Sequence, residues 1–144
     1  MIEDYSSKDL DHLGIVSAMC DEINLVNTID QLIPPDPRST MTIGETVKLM
    51  VINGLGFTSR PLYLEAQFYA SKPIERFLSR PCTFEEVSDD RLGRTLDTCF
   101  NYGCTSLFSR VASKAALKFN INSVRRHILQ VLGPPFQKLY ANSA

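Results

Sequence analysis

Paired carboxylates, a spaced row of cations and two isolated histidines are the side chains here whose types could do chemistry. Asp89-Asp90 offers oxygen ligands of the kind that metal-assisted phosphoryl transfer uses. Neighbouring helical residues point about 100° apart, so the two do not converge on one ion. A helix start explains both: Ser88 caps, and carboxylates in the first turn meet the positive end of the dipole. Arg91 and Arg94 share a helix face suited to phosphate contact. Asp90, four residues before Arg94, equally suits a solvated ion pair. Arg110, Lys114 and Lys118 repeat at i, i+4 and i+8 and form one basic ridge, with Ser109 and Ser113 nearby. Such a ridge can track a phosphate backbone, and it can as well be cations placed for solubility near a helix C-terminus. Arg125 and Arg126 extend the basic segment.

Other chemistries lack their residues. Cys20, Cys82, Cys99 and Cys104 contain no Cys-x-x-Cys pair, and His12 and His127 stand alone, so no zinc site is expected. Gly54-Leu55-Gly56-Phe57 lacks the spacing and the preceding strand of a phosphate-binding loop. No Gly-x-Ser-x-Gly, His-Glu-x-x-His or Cys/His nucleophile arrangement occurs. The residues therefore predict no catalytic constellation, no metal and no cofactor, with the cysteines as free thiols of a reducing cytoplasm.

The elements that must position these residues are helical. The 144 residues fit one ordinary domain, and 44% hydrophobic with 22% charged residues describes a packed core under a polar surface. No apolar run is long enough to span a bilayer, which predicts no membrane partner. Met1-Ile2-Glu3-Asp4-Tyr5 is acidic where an export signal would be basic and then apolar, so a cytoplasmic location is expected. The net charge of -1 hides a polarity. Residues 1–37 hold eight acids against Lys8 alone, and residues 98–144 hold six bases and no acid. That could steer one end of the molecule toward phosphates.

Leu10, Leu13, Val16, Cys20 and Ile23 recur at helical spacing, and Leu25, Val26, Ile29, Leu32 and Ile33 form a second stripe. Pro34-Pro35-Asp36-Pro37 stops it. Thr42-x-x-Glu45 reads as a capping box before a helix with Ile43, Val47, Met50 and Val51 inward, ended by Gly54 and Gly56. Pro61 opens a helix with Leu64 and Phe68 inward, and Ser71-Lys72-Pro73 another with Ile74, Phe77 and Leu78. Thr83-x-x-Glu86 caps a single turn. Ser88 caps a longer helix with a predicted core face of Leu92, Leu96, Cys99 and Phe100, ended at Gly103. The last strong helix runs from Thr105 to Phe119, with Leu107, Phe108, Val111, Ala112 and Ala115 apolar. Outside the first residues nothing reads as a strand. The expectation is an all-α, compact orthogonal bundle of about six to eight short helices over residues 1–120. Residues 121–144 then form a poorly packed C-terminal tail, in which Val124 to Leu132 could make one amphipathic helix.

Three strings carry a resemblance: Asp11-His12-Leu13-Gly14-Ile15-Val16 followed by Cys20-Asp21-Glu22-Ile23; Asn53-Gly54-Leu55-Gly56-Phe57 leading to Arg60-Pro61-Leu62-Tyr63-Leu64; and Asp89-Asp90-Arg91-Leu92-Gly93-Arg94-Thr95-Leu96-Asp97. Over roughly residues 8–120 the chain resembles the N-terminal helical domain, catalogued as a domain of unknown function, of bacterial insertion-sequence transposases of the DDE, RNase H-like class. The resemblance implies DNA transposition by a full-length enzyme whose carboxylates hold two divalent metals in a separate domain. No Asp or Glu follows Asp97, so no catalytic residue carries over, and the chain is expected not to be an enzyme. The departure near residue 120 fits a frameshift or premature stop that replaced the catalytic half with an unrelated tail. The resulting expectation is a DNA-binding module that recognises element ends, with double-stranded DNA as partner and Arg91, Arg94, Arg110, Lys114, Lys118, Arg125 and Arg126 in contact with it, nucleoid-associated when bound. The alternatives are an assembly module that pairs with itself or with full-length transposase, and an inert remnant of a decayed element.

Overall fold

The computed structural model describes Lys8, Leu10 and residues 12–55 and 65–121. Among them are seven α-helices, one 3₁₀ turn and no strand, so the fold is all-α as the spacing predicts. Helix α1 (Leu13–Glu22) passes into α2 (Leu25–Leu32) through Asn24, whose left-handed φ of 57° reverses the chain in two residues. Asn tolerates that conformation better than most side chains. Ile33, held extended by the proline after it, ends α2. The Thr42 capping box then opens α3 (Ile43–Leu55): the Glu45 amide donates to Thr42 Oγ1 (3.1 Å) and the Thr42 amide to Glu45 Oε2 (2.9 Å). Asp30 of α2 accepts from the Gly44 amide (2.8 Å), so one helix caps the next.

Three short elements follow: α4 (Glu65–Ala70), α5 (Ile74–Leu78) and the 3₁₀ turn Phe84–Glu86, which carries the predicted Thr83–Glu86 capping box. Ser88 Oγ accepts from the Arg91 amide (3.3 Å) and starts α6 (Asp89–Tyr102). Gly103, at φ 102°, makes the whole connection to α7 (Cys104–Lys118). Asn120, left-handed at φ 54°, terminates α7: its amide reaches the Leu117 carbonyl and the Ile121 amide the Ala116 carbonyl. This is the double bond of a Schellman end, and it falls where the spacing predicts a break.

Helix α3 lies between two apolar clusters. On one side Leu49 and Ile52 meet Leu13, Phe68, Tyr69, Ile74, Phe77, Val87 and Leu92. On the other, Ile43, Val47 and Val51 pack against Cys20, Leu25, Ile29, Cys99 and Leu107. Leu49 and Ile52 have no exposed surface, and each fully buried aliphatic side chain contributes about 1.5–3 kcal/mol. The Tyr69 hydroxyl, inside the first cluster, donates to the Leu49 carbonyl (2.7 Å), so burial of the ring leaves no orphan oxygen.

The predicted core face of α6 needs correction. Leu96 and Phe100 are not core residues: they are 48% and 75% exposed, and the buried face of α6 is Leu92, Thr95 and Cys99. Phe108 of α7 is likewise 72% exposed, while Leu107 beside it is buried. The apolar arc of each helix is wider than the neighbouring helices cover, and α3 claims the side bearing Thr95. Gly56, Pro61, Leu64, the expected helix over 124–132 and the tail from residue 122 lie outside the described residues.

Candidate nucleic-acid interface

The start of α6 and the loop leading into α3 enclose a cleft of about 600 Å³, lined by Asp36, Arg38, Ser39, Arg91, Arg94 and Thr98 among others. Its shape is held by Arg91. The Arg91 guanidinium donates from Nε to the Glu86 carbonyl (2.9 Å), from Nη1 to Ser39 Oγ (2.8 Å) and the Met41 carbonyl (3.1 Å), and from Nη2 to Thr40 Oγ1 (2.9 Å). Every partner is a neutral oxygen, so the charge is anchored without a carboxylate in hydrogen-bond contact. A second clamp lies behind it. Arg80 forks onto Glu45 at 2.7 and 3.1 Å, reaches the Thr40 carbonyl (2.9 Å), and approaches Glu86 at 3.5 Å. Burial alone would push the Glu45 carboxyl up; the Arg80 hydrogen bonds, the Thr42 amide and the charges of Arg80 and Arg91 outweigh it, and the carboxyl sits below its ordinary value.

At the mouth the pairs are exposed. Arg38 holds Asp36 at 3.1 Å, and Arg94 holds Asp90 one helical turn earlier. The Arg38 side chain, and then its backbone amide, keep Asp36 below the usual carboxylate range. Arg91 and Arg94 are thus brought together as their shared face predicts, with Arg38 added from a proline-rich loop that carries no periodic signal.

The α7 ridge takes a different position. Lys114 Nζ donates to Gln31 of α2 (2.9 Å), and Lys118 pairs with the Glu22 carboxylate at 3.0 Å and also reaches the Glu22 carbonyl. Arg110 is half-buried on the same helix. The ridge therefore meets the ends of α1 and α2, drawing the acidic first helices and the basic second half of the chain together. Arg125 and Arg126 lie outside the described residues.

Spacing also gives no hint of Lys48, 1% exposed at the centre of α3. Its ammonium donates to Asp21 Oδ1 (2.6 Å) and to the Phe77 carbonyl, which also accepts from Ser17 Oγ (3.3 Å). This tie joins α1, α3 and the end of α5. Burial pushes the neighbouring Cys20 thiol up, with Lys48 opposing and Asp21 adding to the rise. Cys82 and Cys99 are raised by burial as well. Among the described residues no three His, Cys, Asp or Glu side chains group as metal ligands, and no helix is long and apolar enough to cross a membrane.

Fold and cleft together define a small all-α domain with guanidinium groups gathered at one helix start. Residues 5–113 match the family described as a domain of unknown function, DUF4277, and the chain belongs to that family. No curated protein and no solved structure matches the chain.

Proposed function

We propose that the chain is the non-catalytic N-terminal module of an insertion-sequence transposase, and that it contacts double-stranded DNA at element ends through the face bearing the α6 cleft. The observation that carries this reading is the gathering of Arg38, Arg91 and Arg94 along one concavity. Guanidinium forks match phosphate geometry, and these cations outnumber the carboxylates of Asp36 and Asp90 that pair with them. The α7 ridge supports it less, because Lys114 and Lys118 already hold partners in α2 and α1. The test is a titration of the whole chain against labelled element-end and random duplexes at two salt concentrations. Affinity should fall steeply with salt, as counterion release requires, and Arg94→Ala should weaken it more than Lys114→Ala. Equally negligible binding to both duplexes at low salt refutes the proposal.

A specific observation favours a second reading, an assembly module for transposase subunits. Leu96 and Phe100 stand one turn apart on α6 with most of the Phe100 ring in solvent, and Phe108 is as exposed on α7. Apolar side chains grouped on a surface mark association sites more often than isolated ones do. Sedimentation that shows only monomer, alone and mixed with full-length transposase, removes this reading.

A further inference from the structure

We infer that Arg38 and Arg94 are the two phosphate-contacting groups of the cleft, that Asp36 and Asp90 occupy those guanidinium groups until phosphodiester oxygens displace them, and that Arg91 is a positioning residue which binds no phosphate. This rests on the reading that the α6 face meets DNA, and it divides the labour among residues that the sequence leaves equivalent.

The division follows from what each guanidinium already touches. Arg91 spends all three nitrogens on four oxygens of the 39–41 loop and of Glu86, tying that loop to α6. Four of its N–H groups are thereby committed, so a two-pronged grip on a phosphate would break at least one of those bonds and loosen the loop that forms one wall of the cleft. Arg38 and Arg94 differ: their side chains are 90% and 75% exposed, and each holds a carboxylate from its own element, Asp36 two residues earlier and Asp90 four residues earlier. Exposed pairs of this kind hold weakly. Replacing a carboxylate with a phosphodiester keeps one anion on each guanidinium, through the Nε and Nη2 fork that now holds Asp36 on Arg38 and through Nη2 on Arg94, whose Nε donates to the Asp90 carbonyl, so the exchange leaves no cation unpaired. The Ser39 and Thr98 hydroxyls line the same cleft, but their protons already go to the Met41 and Arg94 carbonyls, which leaves the guanidinium groups to meet the phosphate. The free protein therefore keeps its cleft charge largely balanced, and binding trades short-range pairs within the chain for contacts along a strand.

Four proteins test this as full chains: wild type, Asp36→Asn with Asp90→Asn, Arg38→Gln with Arg94→Gln, and Arg91→Gln. Each is titrated with one labelled random-sequence duplex at two salt concentrations, and wild type is also followed by side-chain NMR on addition of inorganic phosphate and, separately, of the duplex. The double Asn variant should bind roughly fivefold tighter or more, the change expected on removing two weak competing pairs. The double Gln variant should lose about two contacts from the slope of log affinity against log salt. Arg91→Gln should weaken binding while leaving the slope within about one contact of wild type, together with a lower melting temperature. Wild-type slope and affinity in the double Gln variant, or no tightening in the double Asn variant, overturns this inference and leaves the DNA reading standing. Absence of duplex binding by both wild type and the double Asn variant overturns the DNA reading itself. Movement of the Arg38 and Arg94 side-chain signals with inorganic phosphate but not with duplex makes the cleft a small-phosphate site and overturns both.

Discussion

Replacing Gly44 with alanine should unfold this domain more readily than any other glycine-to-alanine change in its described helices, and Gly93→Ala should do the reverse. A Cβ on Gly44 would lie 2.5 Å from the Val26 carbonyl oxygen, 2.9 Å from Val26 Cα and 2.8 Å from Asp30 Oδ1. Two of those atoms are α2 backbone, which no rotamer change can move aside. Ordinary contact requires α2 to withdraw by roughly 0.5–1 Å. Withdrawal stretches the bond from the Gly44 amide to Asp30 and loosens Leu25 and Ile29 against Val47 and Val51. Overpacking of this kind costs about 1–3 kcal/mol, and a weakened cap adds about 0.5–2. Alanine's helix propensity returns up to about 1 kcal/mol, leaving a net loss near 2–3. At Gly93 nothing lies within 4 Å of the added carbon. The same substitution there should stabilise by about 0.5–1 kcal/mol. Urea denaturation followed by circular dichroism reads both, at unchanged m-value. A Gly44→Ala midpoint at or above that of wild type would refute the claim that close α2–α3 packing sets this glycine.

Four further outcomes follow from particular contacts. Lys48→Met should cost less than about 1 kcal/mol, because Ser17 still serves the Phe77 carbonyl and Asp21 reaches water, whereas Asp21→Asn strands a buried ammonium and should cost about 2–3; chemical denaturation orders the two. Glu45, held below its ordinary value, stabilises the fold above the unfolded carboxyl's range and loses that contribution as pH falls through its folded value. The stability gap between wild type and Glu45→Gln should therefore be wide at neutral pH and close as pH falls below the ordinary carboxylate range. Iodoacetamide should modify exposed Cys104 first and buried Cys20 last in the folded chain, as peptide mapping would show, since burial raises the Cys20 thiol and blocks access to it. Phe100→Ser with Phe108→Ser should leave the melting temperature within about 2 °C and abolish any concentration-dependent sedimentation, because neither ring contributes to the core.

The parts legible in the sequence are those set within one or two helical turns. Both capping boxes, the Ser88 cap, the proline stop after α2 and the end of α7 near residue 120 each depend on residues no more than five apart, and each is in place. Which side of an apolar stripe is covered depends instead on the crossing of another helix. Leu92, Leu96, Cys99 and Phe100 form one arc by spacing, and only the meeting of α6 with α3 turns Thr95 inward and leaves Phe100 in solvent. Arg38 was hidden for the same reason, being an irregular-loop residue whose cleft partners stand more than fifty positions away.

Charge shows the difference most plainly. Eight acids near the start and six bases after residue 97 read as a molecule with a negative and a positive end. Folding places α7 against α1 and α2, so Lys118 neutralises Glu22 and Lys114 satisfies Gln31. Part of that gradient thus becomes internal contact, and Lys114 and Lys118 of the α7 row are tied to the first two helices. On the proposed reading, the cations that meet a partner are Arg38 of a loop and Arg94 of a helix start, in local sequence of mixed sign where Asp36 and Asp90 pair with them. If the α6 face meets DNA as proposed, its affinity should depend less on how many bases the domain carries than on how easily those two carboxylates let go.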